Sequence, residues 1–337
     1  MNLSSVLQAE ERIRSRVRQT PVERSSFLSR PGREVWLKLE HLQVTGSFKW
    51  RGALHKILAL TEDELARGVV TASNGNHGIA LCAAGRIRGI RPRVYVREGI
   101  SPERIARIRE LGGEPCQYGE TPLEAEREAR READLGQQVF VSPYNDEEVV
   151  AGQGTIGLEL IAQLPQLDRV FIAVGGGGLI GGIGTALRAL RPEVRVVGCW
   201  PAHSAAMAKS LEVGAIVEVP ESPTLSESTA GGIEAGSLTF PLCQAVIDER
   251  VLVSEEEIEE AMWLIALHER WMIEGAAAVA VAGYLRWEAE RQRVGGADDK
   301  GTESETVAIL LCGRNIDSSQ FLKVCWGRGL PGGVGVA

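Results

Sequence analysis

The sequence predicts an α/β protein of two doubly wound open-sheet domains, and three observations carry that expectation. Apolar, strand-like runs alternate with segments of helical periodicity along most of the chain. Turns of glycine or small polar residues stand at the carboxyl ends of several runs with a helix behind them, the place where an open parallel sheet meets its ligands. The length, 337 residues, is more than one ordinary core holds, so a cleft between two domains is the expected binding place.

Composition narrows the partners. Net charge is −8 with no run of lysine and arginine, which argues against nucleic acid and anionic membrane and is compatible with a small zwitterionic substrate. The cysteines, at 82, 116, 199, 243, 312 and 325, form no CxxC pair, and no histidines stand at metal-ligand spacing, so neither disulfides nor structural zinc are expected. Met1 leads directly into Glu10-Glu11-Arg12 with no apolar signal core, which reads as a cytoplasmic protein. The uncharged stretch from Val170 to Leu187 is too rich in glycine for a membrane span and fits strand, loop and helix.

In chain order, residues 3 to 18 read as a polar amphipathic helix stopped by Pro21, and Val35 to Glu40 as a strand. Thr45-Gly46-Ser47-Phe48-Lys49-Trp50-Arg51-Gly52-Ala53 follows, with helical spacing from Ala53 to Leu60 and Thr45 or Ser47 able to cap. Lys49 then sits in the first helical turn, facing the positive end of the helix dipole and two aromatic neighbours. Its charged form is disfavoured there and a nucleophilic amine comes within reach. Read alone, the lysine is more simply a solvated surface charge.

Gly68 to Ala72 is a strand running into Ser73-Asn74-Gly75-Asn76-His77-Gly78, with a helix from Ile79 to Ile87. That turn reads either as a ligand-facing one or as a helix start capped by Ser73 or Asn74. Arg93 to Arg97 is a strand, and Pro102 to Leu111 and Pro122 to Leu135 are helices. Val139 to Pro143 leads through a domain crossing to a helix from Thr155 to Leu164.

Arg169 to Val174 reads as a buried strand, followed at once by Gly175-Gly176-Gly177-Gly178 and a helix from 179 to 190. Backbone amides freed of side chains at a helix start form a phosphate cradle. The alternatives are close helix-on-strand packing and, through GxGxxG at Gly176, Gly178 and Gly181, a dinucleotide site. The next strand, Val194 to Trp200, ends without the acid that a dinucleotide's ribose needs, which favours a lone phosphate. Pro220 to Thr239 is loop-like and carries Ser228-Thr229-Ala230-Gly231-Gly232-Ile233-Glu234. Ser254 with Glu257 makes a capping box, and Glu274-Gly275-Ala276-Ala277 opens a small-residue helix. Gly295 to Glu305 reads as a polar, mobile loop, and Val307 to Leu311 as the last buried strand, ending in Cys312-Gly313-Arg314-Asn315. Taken alone, Cys312 reads as inert packing.

Ser47-Phe48-Lys49, Ser73-x-Gly75-Asn76-His77, Gly152-Gln153-Gly154-Thr155, the glycine tetrad and Cys312-Gly313-x-Asn315 occur in register between about residue 10 and residue 317. Together they resemble the serine/threonine dehydratase family of fold-type II pyridoxal-phosphate enzymes. The resemblance implies a large domain of residues 1–52 and 146–320, a small mobile domain of residues 53–145, a tail of residues 321–337, and pyridoxal phosphate in the cleft between the domains. It implies that Lys49, beside Phe48, carries the cofactor as a Schiff base and that Gly175, Gly176, Gly177 and Gly178 with Leu179 bind its phosphate. Asn76 is implied at its 3-hydroxyl, Cys312 at its pyridine nitrogen and Glu274 near its ring. Ser73, Asn74, Gly75 and His77 are implied at the substrate carboxylate, and Gly231 in the substrate pocket. The implied activity is loss of water from an L-β-hydroxy amino acid, threonine or serine first, to give a 2-oxo acid and ammonia, in a homodimer or homotetramer.

Departures from the family pattern shape further expectations. Gly231 stands where many relatives have aspartate, which opens the pocket to a larger substrate such as phenylserine or hydroxyaspartate. Trp50 replaces a smaller apolar residue. Trp200 stands where cation-binding relatives have glutamate, so no metal requirement is expected. Asn74 stands where serine racemases place a hydroxyl, so racemase activity is not expected. Only about 20 residues follow the Cys312 motif, so the C-terminal regulatory domain of biosynthetic relatives is not expected either. Within the family the rivals are an amino-acid racemase and a lyase for another β-substituted amino acid; outside it they are a nicotinamide-dependent oxidoreductase and a non-catalytic small-molecule sensor.

Overall fold

A strand buried on both faces reads as an unbroken apolar run, and the run after Arg169 lies inside the larger of two sheets in a computed structural model that describes residues 1–293 and 304–327. The strands are β1 (Val22–Arg24), β2 (Arg33–Lys38), β3 (Val69–Ala72), β4 (Arg93–Val96), β5 (Glu114–Gln117), β6 (Val139–Phe140), β7 (Leu167–Ala173), β8 (Arg195–Pro201), β9 (Glu249–Val253) and β10 (Glu305–Leu310). One sheet has the order β1-β2-β10-β7-β8-β9 and the other β5-β4-β3-β6. Every pairing is parallel except that of β1 with β2. The expected α/β architecture of two open parallel sheets is the observed one. Among the described residues, no helix is long and apolar enough to cross a membrane.

Two features of this topology build the site. Lys38 pairs with Leu310, so the turns that follow β2 and β10 lie side by side although the strands are far apart in sequence. In addition, the helix Glu147–Gln163 is flanked by the helices Lys49–Ala59 and Gly178–Leu190, which both begin at the site. Its glycines permit that approach: a Cβ on Gly152 would meet Gly52 Cα at 2.6 Å, and one on Gly154 would meet the Gly182 carbonyl at 2.9 Å. The Gly152-Gln153-Gly154-Thr155 motif thus acts through packing. Gln153 Oε1 accepts from Gly52 N and Thr155 Oγ1 from Arg51 Nη1.

Several element boundaries differ from expectation for identifiable reasons. The first helix is Leu3–Ile13 and stops well before Pro21, because the Arg16 and Arg18 carbonyls accept from Trp50 Nε1 (3.0 Å) and Arg51 Nη2 (3.3 Å). The helix expected from Thr155 begins at Glu147, where Asp146 caps it, and continues through the glycines because packing overrides their low propensity. The helix after β3 begins at Asn76, and neither Ser73 nor Asn74 caps it: Ser73 Oγ accepts from Gly75 N, and Asn74 Oδ1 accepts from Arg97 N at the end of β4. Lys49 opens its helix with no side-chain cap, and Thr45 Oγ1 and Ser47 Oγ are buried without a hydrogen-bond partner. The capping box of Ser254 and Glu257 is present. Strands β1, β5 and β9 and the helices Glu62–Arg67, Ala206–Val213, Thr239–Val246 and Ser318–Gly327 go beyond the sequence expectation; β5 is a short edge strand containing Pro115. The expected polar loop from Gly295 lies outside the described residues up to 303, as does the chain after Gly327.

Candidate active site

The adjoining turns after β2 and β10 are stitched by backbone. Phe48 N donates to the Cys312 carbonyl at 3.0 Å and Arg314 N to the Gly46 carbonyl at 3.0 Å, while Ser47 bridges Gly313. Lys49 and Cys312 are thereby brought into one cleft. The Lys49 amine donates to the Pro143 carbonyl at 2.6 Å. Burial lowers its pKa to about 8, and the nearby Cys312 and Glu274 only partly oppose that shift. The expected pair of aromatic neighbours does not form. Trp50 is buried against Ile13, Leu54 and other residues of a separate apolar cluster, and the Phe48 ring, 5.1 Å from the amine, favours a cation. Desolvation therefore lowers the pKa without their help.

Gly175 to Gly178 follow β7 and start the helix Gly178–Leu190, whose first turn has no side-chain cap. Gly177 has φ +86°, which favours glycine. A Cβ on Gly175 would meet Thr229 Cα at 2.8 Å, and one on Gly177 would meet Cys243 Sγ at 2.5 Å. The result is a ring of backbone at a helix N-terminus, suited to an anion. Together with Phe48, Lys49, Leu179, Glu274 and Cys312 it lines one cleft.

Glu274, just ahead of the helix Gly275–Arg293, is buried and accepts from Asn76 Nδ2 at 2.8 Å and 2.9 Å and from Asn315 N at 3.1 Å. Burial raises its pKa, and these donors oppose the shift. Asn315 Nδ2 in turn donates to Asn76 Oδ1 at 2.6 Å and to the Thr45 carbonyl at 2.9 Å. Burial and the Glu274 charge hold the Cys312 thiol far above its usual pKa, so it stays neutral. His77 is also neutral: burial and Lys49 lower its pKa to about 3, and its Nε2 lies 3.2 Å from the Val141 carbonyl. Ser73, Asn74 and Gly75 form the turn leading to Asn76 and do not line the tetrad's cleft. Gly231, with φ +125°, does not line it either; its N–H donates to Ser204 Oγ and Glu221 Oε1, and Ser228 and Thr229 take the lining positions.

The structure adds residues to which no role was assigned from sequence. Tyr144 packs its ring where a Cβ on Gly176 would stand, and its hydroxyl accepts from Glu234 N at 3.1 Å. Below the lysine helix lies a buried ionic cluster. Arg51 pairs with Glu40 at 2.7 Å and Glu159 at 2.6 Å, and Lys38 pairs with Glu159 at 2.5 Å. Arg51 and Asn315 stood inside motifs singled out above, but nothing local revealed partners so distant in sequence.

Residues 13–313 match the family model described as pyridoxal-phosphate dependent enzyme. The chain is 39% identical to the L-threonine ammonia-lyase of Thermotoga maritima over 96% of its own length and 78% of that protein's. Among solved structures, the processed threonine deaminase isoform 2 from Solanum lycopersicum superposes with a TM-score of 0.87 at 32% identity, covering 97% of this chain and 92% of the other. Maize serine racemase superposes with a TM-score of 0.86 at 26% identity, covering 97% of each.

Proposed function

The chain belongs to the pyridoxal-phosphate dependent enzyme family, and from that premise we propose that it is an ammonia-lyase removing water from L-threonine and L-serine to leave a 2-oxo acid and ammonia. The carrying observation is the buried Lys49 amine, with its pKa lowered to about 8, in one cleft with the glycine cradle, the neutral Cys312 thiol and the buried Glu274 carboxyl. The residues fit the cofactor: the cradle admits only glycine where Thr229, Tyr144 and Cys243 press on it, and its amides suit a phosphate.

When bound, pyridoxal phosphate supplies an electron sink for charge released at the substrate α-carbon. The Lys49 amine removes the α-proton, and a pKa near the operating pH suits it to take and return one. Cys312 holds a neutral thiol in the same cleft, and a neutral group beside the bound cofactor would favour expulsion of a β-hydroxyl over long storage of charge. Asn76, Glu274 and Asn315 fix one another and so form a rigid polar wall that would hold and orient the cofactor. The turn of Ser73, Asn74 and Gly75 lies outside the tetrad's cleft but leads into Asn76 of that wall, so the Ser73 hydroxyl and the His77 amide in the first helical turn are the groups we assign to the substrate carboxylate, beside the cleft. Loss of the β-hydroxyl as water leaves an enamine that hydrolyses to the oxo acid and ammonia.

Ammonia and 2-oxo acid are to be measured with L-serine, L-threonine, 3-hydroxyaspartate and phenylserine. Turnover of the first two is expected to lead. No ammonia from either, from cofactor-loaded protein, would sink the proposal.

A further inference from the structure

One segment between β8 and β9, residues 227 to 234, reaches across to the helices of the four-stranded sheet and meets three of them. Glu227 pairs with Arg104 of the helix Pro102–Glu110 at 3.1 Å. Ser228 Oγ accepts from Asn76 Nδ2 of the helix Asn76–Ile87 at 3.4 Å. Glu234 pairs with Arg130 of the helix Pro122–Leu135 at 2.7 Å. Between these contacts Thr229 closes a turn on Ser226 (N to O 2.9 Å) and lies against Gly175 of the cradle. The position of this segment therefore sets one wall of the cleft.

The partners are held for the purpose. Arg130 bonds Glu126 on its own helix and lies over the Phe140 ring at 4.1 Å. Glu234 also accepts from Asn145 Nδ2 at 2.8 Å, and Arg104 has a second acid, Asp317, at 3.4 Å. Neither arginine lines the cleft. Both ion pairs are partly exposed, with Arg104 23% and Glu227 54% accessible, so salt screens them.

We propose that residues 227 to 234 are an electrostatic strap across the two sheets, and that Arg104 and Arg130 are positioning residues that hold Ser228 and Thr229 over the cleft and so set how tightly the amino-acid substrate is retained. The strap rests on the proposed reading only in taking the cleft as the substrate's place, and the test separates the two. Limited proteolysis of the cofactor-loaded protein needs no turnover. R104Q and R130Q, with E227Q and E234Q as their strap-side counterparts, should each speed cleavage between residues 220 and 238 and raise KM about three- to fivefold, with kcat within about twofold of wild type. Salt at about 0.5 M should do the same to the wild type and little to the R104Q/R130Q protein. R104Q combined with E227Q should be no worse than either alone. Unchanged cleavage and KM in the arginine variants, or effects of the paired variants that simply add, would overturn the strap. If the wild type releases no ammonia, the activity reading fails and the proteolysis comparison still decides the strap.

Discussion

On the lysine side of the cleft Arg51, Glu40 and Lys38 are buried completely and Glu159 almost so; on the strap side the ion pairs of Arg104 and Arg130 stand partly in water. Both sets link elements distant in sequence, yet their energetics differ in kind. Breaking a buried pair leaves an uncompensated charge and costs about 3–5 kcal/mol, whereas an exposed pair is worth about 0–1 kcal/mol and is screened by salt. The difference assigns separate duties. The lysine is fixed by the larger sheet and its buried charges, and admission and release are left to contacts weak enough to open.

The comparison breaks most visibly at Lys49. Lys49→Ala should lower turnover by about 10⁴-fold, since in the proposed mechanism one residue supplies both the covalent attachment and the proton acceptor. Thermal unfolding should move little, because the amine's hydrogen bond is a single one to the Pro143 carbonyl. More than a trace of β-elimination in that variant would remove the lysine from the mechanism.

The next effect belongs to the buried cluster. Glu40→Gln leaves Arg51 short of a charge partner and should cost about 3–5 kcal/mol in urea unfolding, against about 0–1 kcal/mol for R130Q. Burial alone would raise the Glu40 pKa, but Arg51 and Lys38 outweigh it and the net shift is downward. A carboxylate lowered in the fold stabilises above its unfolded pKa, and that contribution is lost as pH falls through the folded value. Wild type should therefore lose stability on acidification below about pH 4.5 more steeply than E40Q does. Equal urea midpoints for E40Q and R130Q would erase the distinction between the two sides.

How much of this was legible in the sequence follows the range of the interactions. Lys49, the tetrad and Cys312 stand in local motifs at strand ends, so each was readable from its neighbours. The Asn76, Glu274 and Asn315 network depends on the turns after β2 and β10 lying together and on a helix start elsewhere in the chain, which no window of sequence reveals. The caps failed for a related reason: Ser73 and Asn74 have the right chemistry, but Arg97 and Gly75 claim their oxygens first. The resemblance puts Gly231 in the substrate pocket, while the residues of the same segment that line the tetrad's cleft are Ser228 and Thr229, which no local pattern distinguishes.

A smaller effect sharpens the account of the amine. With its pKa lowered by burial to about 8, Lys49 in cofactor-stripped protein should bind pyridoxal phosphate covalently at a rate that levels off above about pH 8. An ordinary lysine would keep gaining about tenfold per pH unit almost to its reference pKa near 10.4. The absorbance of the bound cofactor, followed by stopped flow, reads this directly. A rate still climbing tenfold between pH 9 and pH 10 would show that burial does not tune the amine.

The smallest expected change lies in the turn that leads to Asn76, at Asn74, and it bears on the likeness to serine racemases. Racemisation needs a second acid-base group opposite Lys49, so that the α-carbon can be reprotonated from the far face. Asn74 cannot provide one, because an amide neither gives nor takes a proton at neutral pH. Its oxygen is already engaged with Arg97 N at 3.1 Å, which ties the turn to the end of β4. The wild type should thus form D-amino acid at least about a hundredfold more slowly than oxo acid. Asn74→Ser should raise that rate and Asn74→Ala should not, since both lose the bond to Arg97 and only serine adds a hydroxyl. Incubation with L-serine in deuterated water, followed by chiral chromatography of the recovered amino acid, measures it. Accumulation of the D-enantiomer by the wild type at a rate comparable with oxo-acid formation would mean that a residue other than Asn74 supplies the second proton.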